Sequence, residues 1–594
     1  MDLPHFQTHA TFSFARGAAR LGLLLVFIGS AALWAQPGSP FVSGAWSGNV
    51  SPTSGTVCIR LIAPGQRVRL AVSTSEQLTS PVFSPVVTTA TGTGNAVKLT
   101  VGGLLPNTRY FYGVEVDGLL RPEPGSRGRF RTFPQGAASF KVALVGDTDY
   151  RFADHRGADA VLAEDPLLLL YNGDLHYADL TSTVTEDYRV QLDNTTRHPN
   201  IGAMLRGAPI AYMWDDHDFA GGDNSDGTAV GRDAIRAAYR ECVPHYPLNV
   251  GDGTIGQAFT VGRVRVIMTD LRSASERSSN PETNKTRMGV AQKAWFKQEL
   301  IAARDANFPL VVWLSSVPWI APAQLGDDSW AGYASEREEI ANFIRDNRVR
   351  NVVVYAGDMH AMGYDDGEHS DYASGGGAPL IVFHAAALGA PPNEKGGPYS
   401  AGPFPGTLQY GLLEVNDTGG TTIQCRVTGK RVGEGAKFVY QFTASALAID
   451  GRSLLVSDPS SDRALINIST RGRIGAPAET LIAGFVIAGR NPRNILLRAV
   501  GPSLAAFGVT GALPRPVLTL FKGNTVVASN DDWGLADFPR LTAAFDRAGA
   551  FRFASQTSRD AALYLALEPG AYTLQTASGD GSPGNVLVEI YEVP

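Results

Sequence analysis

Apolar and polar positions divide this chain into three stretches of different rhythm. From Phe41 to Phe133, short alternating runs are separated by turn residues, and Val57–Leu61, Val68–Val72 and Ala96–Val101 predict strands. From Ala138 to Phe442, apolar runs alternate with helical patterns, which predicts a layered α/β domain. There Val290–Arg304 predicts a helix with Trp295, Phe296 and Leu300 as its buried stripe. Ser335-Glu336-Arg337-Glu338 predicts a capping box ahead of Ile340, Phe343 and Ile344 on one helical face. After the polar stretch Ser457–Asp462, the runs Asn494–Val500, Val517–Phe521, Tyr572–Thr576 and Val586–Val593 predict a second all-β sandwich over 463–594.

Length and composition narrow the partners rather than the fold. At 594 residues the chain exceeds one hydrophobic core, and 65 glycines with 36 prolines agree with turn-rich β structure. A formal net charge of -6 offers no basic surface for a phosphate backbone, which argues against nucleic-acid binding as the main role. Cys58, Cys242 and Cys425 are far apart and odd in number, so they give no disulfide framework and read as small buried side chains. Arg16 and Arg20 precede the apolar run Leu21–Trp34 and then Ala35-Gln36-Pro37, the pattern of a secretory signal peptide over 1–35. The run is shorter than the roughly twenty residues of a spanning helix, so the mature chain is expected to have no transmembrane segment. A secreted, periplasmic or cell-surface location follows as an expectation, with the C-terminal zone as the candidate for surface attachment.

The middle stretch repeats one device. Phe140–Val145 runs into Gly146-Asp147, and Leu167–Tyr171 into Asn172-Gly173-Asp174-Leu175-His176-Tyr177. Ile210–Trp214 runs into Asp215-Asp216-His217-Asp218, and Val352–Ala356 into Gly357-Asp358-Met359-His360. Sites in layered α/β domains form beyond the carboxyl ends of strands. One Asp there is an ordinary turn former, but turn chemistry alone does not account for four in succession. Carboxylates with imidazole suit a pair of divalent or trivalent cations.

These motifs resemble a known family. Gly173-Asp174-Leu175-His176-Tyr177-Ala178-Asp179 resembles the second motif of calcineurin-like metallophosphatases, in the purple acid phosphatase form that has a ligand Tyr. Trp214–Asp218 with Asn224 downstream, Asp270-Leu271-Arg272-Ser273, Met288-Gly289, Gln292-Lys293-Ala294-Trp295 and Gly357–His360 follow the order of the alkaline phosphatase D (PhoD-like) family. Leu105-Pro106-Asn107-Thr108 followed by Tyr110 resembles the tyrosine corner of fibronectin type III-like sandwiches, with a plain hairpin as the alternative. The resemblance spans Phe41–Phe442. It implies an N-terminal fibronectin type III-like β-sandwich over 41–133 and a metallophosphatase catalytic domain, an αββα sandwich, over 138–442. The ending Val588–Val593 and Gly570–Thr573 resemble C-terminal modules of secreted bacterial proteins and carry no catalytic motif.

The resemblance also implies roles. Asp174 would bridge two metals, with Asp147, Tyr177 and His360 on the first and Asp216 and Asp358 on the second. His217 would donate a proton to the leaving oxygen, and Arg272 is a candidate phosphate contact with a structural salt bridge as the alternative. Two cations about 3.5–4 Å apart would activate water as hydroxide against a small-molecule phosphomonoester or phosphodiester. Iron and calcium are favoured, with zinc and manganese also compatible. Relatives often carry Asn where Asp216 stands and His where Asp358 stands, some carry Cys where Asp147 stands, and many metallophosphatases carry a ligand His where Asp149 stands. The competing readings are a binuclear hydrolase of another ester and a calcium-holding cell-surface binding protein. Asn530-Asp531-Asp532-Trp533-Gly534 and Asp365-Asp366-Gly367 would be the loops of that binder.

Overall fold

The computed structural model describes residues 38–593 except 224, 284, 455–467, 476–478, 488–492 and 536–537. The expected signal peptide, Asn224 and the polar stretch Ser457–Asp462 lie outside the described residues. Two stacked β-sheets form the centre. The first has ten strands, with Phe140–Val145, Leu168–Asn172 and Ile210–Met213 parallel in its middle. The second has seven, with Val264–Thr269, Leu310–Ser315, Val352–Ala356 and Ile381–Ala385 as parallel neighbours. Val142, Leu144 and Leu169 of one sheet share a core with Val312, Leu314, Val353 and Phe383 of the other.

Covered on both faces, the parallel strands need no polar side, and Leu168–Asn172 and Val352–Ala356 are buried throughout. Helix Val290–Asp305 lays Phe296 and Leu300 on the second sheet, with Phe296 4.7 Å from Trp313 between ring centroids. Trp295 is only partly buried, and Gln292 takes the buried place instead. Helix Ala334–Asp346 buries Ile340 and Ile344, but the predicted capping box does not form. Tyr333 is the N-cap, so Ser335 lies inside the first turn; its N–H donates to Glu282 at 3.2 Å, and the Glu338 carboxylate that would close the box accepts from the Ser374 hydroxyl.

The first stretch is joined to the centre rather than hung from it. Strand Trp46–Gly48 extends the ten-stranded sheet by parallel pairing of Gly48 with Ile210. Trp46 Nε1 donates to the Cys242 carbonyl at 3.0 Å, and buried Arg60 pairs with Asp193 at 2.6 Å. Tyr110 Oη accepts a hydrogen bond from the Leu105 N–H at 2.9 Å, tying the turn to the strand Arg109–Val116.

The last stretch folds as two four-stranded sheets whose inner residues, Leu497 and Val588 from one and Leu518 and Leu574 from the other, make a shared core. Helix Phe538–Ala548, which the strand pattern did not predict, packs Leu541, Ala544 and Phe545 against Leu496 and Tyr591. Among the described residues, no helix is long and apolar enough to cross a membrane.

A candidate metal centre

The four motifs meet where parallel strands of both sheets end. Three of them leave their strands through a backbone that apolar residues rarely adopt: Asp147, Asp174 and Asp358 have φ of 52°, 52° and 61°. Asp tolerates this left-handed region better than most residues, and such outliers concentrate at functional sites. The preceding glycines permit the crowding. A Cβ on Gly357 would lie 2.5 Å from the Asn172 carbonyl oxygen, and one on Gly173 would lie 2.8 Å from Asp215 Cβ. Asn172 holds the two sheets in register there. Its Nδ2 donates to the carbonyls of Ser315 and Tyr355, both at 2.9 Å.

Six of the residues singled out from the sequence come together. Ligand atoms of Asp147, Asp174 and His360 lie within 4.8 Å of one another, as do those of Asp174, Asp216 and His217, and those of Asp215, Asp216 and Asp358. Asp174 belongs to two of these groups, so it stands between them. The seventh, Tyr177, has its hydroxyl 3.0 Å from His360 Nε2. His360 is itself oriented by its Nδ1, 2.6 Å from the Pro391 carbonyl.

The electrostatics identify what the centre lacks. Both oxygens of Asp147, Asp174 and Asp216 and Oδ2 of Asp358 are buried without a hydrogen-bond partner. Burial first, then neighbouring carboxylates, raise Asp147, Asp174 and Asp358 well above the usual carboxylate range. Asp216 is raised to about 6 by burial, against the lowering influence of Arg272. Burial lowers His360 to about 4, so it presents a neutral imidazole. Buried, unpaired acidic oxygens with a neutral imidazole and a phenol fit metal cations, which supply the missing positive charge. Asp147, Tyr177 and His360 would hold one cation, Asp216 and Asp358 another, and Asp174 both.

Other residues support these. Asp218 accepts from the N–H groups of His176 at 3.0 Å and Asp215 at 3.2 Å, fastening two motif loops together. Asp270 accepts from Trp214 Nε1 at 2.8 Å and from the Ser273 N–H at 2.9 Å, a framework role. Arg272 is not placed to touch a substrate. It is fully buried, and its guanidinium is bound by Asp215 at 2.7 and 2.9 Å and by Asp328 at 2.6 and 2.9 Å. Asp149 is occupied by Arg151 at 2.8 Å and joins none of the ligand groups.

Two residues with chemistry went unassigned in the sequence. Asp179 closes the Gly173–Asp179 motif, and its Oδ1 lies 2.6 Å from His217 Nδ1. Lys395 lies outside every motif, yet its Nζ is 2.7 Å from Asp358 Oδ1. Burial opposes its charge, but Asp358 and Asp216 outweigh that and hold it above the ordinary lysine value.

Comparison with known proteins gives consistent results. The PhoD-like phosphatase model matches residues 142–396, and the model of the PhoD-like phosphatase N-terminal domain matches residues 30–134. Alkaline phosphatase D of Bacillus subtilis (strain 168) is 25% identical over 317 residues, which is 45% of this chain and 53% of that protein. The match thus spans about half the length of that relative. The solved structure of PhoD has the same fold, with a TM-score of 0.57 and 19% identity over 70% of this chain and 93% of that one. A purple acid phosphatase from yellow lupin (Lupinus luteus) seeds aligns with a TM-score of 0.47 and 14% identity over 67% of this chain and 73% of its own. The chain belongs to the PhoD-like phosphatase family.

Proposed function

We propose that this chain is an exported, metal-dependent phosphoester hydrolase, an alkaline phosphatase D-like phosphomonoesterase or phosphodiesterase. The observation that carries the reading is the position of Asp174, both of whose oxygens are buried without a hydrogen bond, in two groups of ligand atoms. When bound, two cations supply Lewis acidity toward the phosphoryl oxygens and lower the pKa of a water so that hydroxide attack proceeds near neutral pH. Asp174 keeps the two positions close by putting an anion between like charges. His360, fixed through Nδ1, turns Nε2 toward Asp147 and Tyr177. His217, with Nδ1 held by Asp179, has Nε2 to give a proton to the departing oxygen.

The donor sets favour iron and calcium. Tyr177 is held protonated above the ordinary tyrosine range, by burial and then by Asp174 and Asp147. Displacing that proton takes a hard, strongly Lewis-acidic cation, as trivalent iron is. Asp174, Asp216 and Asp358 offer oxygen alone, which suits calcium. Zinc and manganese remain compatible with the same donors.

The calcium-binder reading has less support. Asp531 pairs with Arg515 at 2.6 Å, Asp532 with Arg559 at 3.0 Å, and Asp365 with His369 at 2.7 Å. These acids already have partners, whereas both oxygens of Asp147, Asp174 and Asp216 at the strand ends are buried without a hydrogen bond. Metal analysis of purified protein together with assays on aryl mono- and diesters tests the proposal. Two metals per chain and turnover of either ester support it; metal without turnover of any phosphoester returns the binder reading. N-terminal sequencing of the exported protein, expected to begin near Gln36, tests export.

A further inference from the structure

Lys395 brings a positive charge to the centre from a segment with no strand-end motif. Its Nζ lies 2.7 Å from Asp358 Oδ1 and 3.1 Å from Asp223 Oδ1. Taking one Asp358 oxygen leaves the other, Oδ2, without a partner and free for a cation. The backbone that carries it is fixed: the Lys395 carbonyl accepts from the Tyr399 hydroxyl at 2.9 Å, and the Gly397 N–H donates to the Ile320 carbonyl at 2.8 Å.

The two partners differ in kind. Asp358 is 3% exposed at its side chain and locked in the centre, whereas Asp223 is 70% exposed and Lys395 itself 23%. An ion pair to so exposed a carboxylate contributes little and yields readily to a better anion. Arg272 is the opposite case, with its guanidinium enclosed between Asp215 and Asp328. Lys395 is therefore the cation of this centre whose ammonium has one fixed and one exchangeable partner.

We propose that Lys395 contacts the substrate and selects for terminal, doubly charged phosphate groups, its ammonium leaving Asp223 for a non-bridging phosphate oxygen while Asp358 holds it in place. The proposal rests on the phosphoester hydrolase reading. A monoester presents two negative charges above its second ionisation and a diester only one, so one more fixed cation attracts the monoester more strongly. Loss of the ammonium then weakens monoester binding far more than diester binding.

The test compares wild type, Lys395→Met and Lys395→Arg on a nitrophenyl phosphate and the matching bis-nitrophenyl phosphate, with metal content and calorimetric affinity for inorganic phosphate measured alongside. A hydrogen bond to a charged group corresponds to about 10- to 100-fold. Lys395→Met is expected to lose that factor in kcat/KM on the monoester, mainly through KM, and only a few-fold on the diester. Its affinity for inorganic phosphate falls in parallel, both metals stay, and Lys395→Arg recovers most of each loss. Equal losses on the two esters, unchanged phosphate affinity, or loss of a metal from Lys395→Met would each overturn the proposal. A metal lost would make Lys395 a holder of Asp358 instead. Wild type inactive on both esters would remove the hydrolase reading, and the phosphate titration would then decide on Lys395 alone.

Discussion

His217 and Asp179 form a hydrogen-bonded pair, with Nδ1 and Oδ1 2.6 Å apart. A carboxylate only accepts, so Nδ1 carries a proton toward Asp179, and in the imidazolium the second proton sits on Nε2, the nitrogen left for the centre. The Tyr177 ring packs against His217 with centroids 4.2 Å apart, which limits the imidazole to this orientation. A histidine held in one orientation by a carboxylate is suited to proton transfer.

That arrangement predicts a leaving-group effect. His217→Gln should keep both metals and lose about 10²–10⁴-fold on an alkyl phosphate, where proton donation is needed. The loss on a nitrophenyl phosphate should be much smaller, because nitrophenolate departs unaided. Asp179→Asn should show the same pattern with smaller losses, since it misorients the ring without deleting it. Turnover of both variants on both substrates checks this; equal losses on the two leaving groups would remove His217 from the acid role.

The buried ionisable groups predict pH responses of different steepness with and without metal. Burial lowers His176, His198 and His245 from 6.5 to about 4 and His384 to about 3. Their folded forms bind fewer protons than the unfolded chain, so this stability is present above pH 6.5 and lost as pH falls toward 4. Asp147, Asp174 and Asp358 are shifted upward, so without metal the folded form binds more protons and stability falls as pH rises. Above pH 6.5 the histidines no longer contribute to the slope. Chelated protein should therefore melt at lower temperature at pH 8 than at pH 6.5, with a much shallower decline in metal-loaded protein. Parallel melting curves with and without chelator would contradict the metal assignment.

Asn172 is predicted to be a stability residue. Asn172→Leu leaves the Ser315 and Tyr355 carbonyls buried without their donor. Unsatisfied buried groups cost about 1–3 kcal/mol each, so the variant should denature at lower urea concentration. An unchanged midpoint would show that the link between the sheets is dispensable.

Arg272 separates a structural from a substrate role. Removing the guanidinium in Arg272→Met leaves Asp215 and Asp328 as buried charges, a change that costs about 3–5 kcal/mol. The expected outcome is a marked loss of stability. A stable variant with raised KM alone would restore Arg272 to substrate binding.

The strands and the strand-end acids were legible because the same local physics makes both. Runs such as Leu168-Leu169-Leu170-Tyr171 are apolar on both faces because two sheets enclose them, and the Gly-Asp turns mark where they end. Helix Phe538–Ala548 was missed because Leu541, Ala544 and Phe545 make a brief stripe among strand runs. The capping box at Ser335 failed because Glu282 and Ser374, which occupy the Ser335 N–H and the Glu338 carboxylate, are distant in sequence. Arg272 was ambiguous for a similar reason, since Asp215 and Asp328 reach it only through the fold. Asp179 carried a signal in its motif but no visible partner, and Lys395 carried none. The pairing of Gly48 with Ile210 likewise depends on register across two stretches that look separate along the chain.

The most direct test of the account is the metal content of Asp174→Ala measured with its phosphoesterase activity. Deleting the carboxylate that joins the Asp147–His360 group to the Asp216–His217 group leaves two cations repelling each other across a buried pocket. The account predicts loss of at least one metal per chain and of nearly all turnover on aryl phosphates, in a protein whose fold is retained by circular dichroism. Full occupancy of both positions in Asp174→Ala would contradict the bridging role, and with it the two-metal centre.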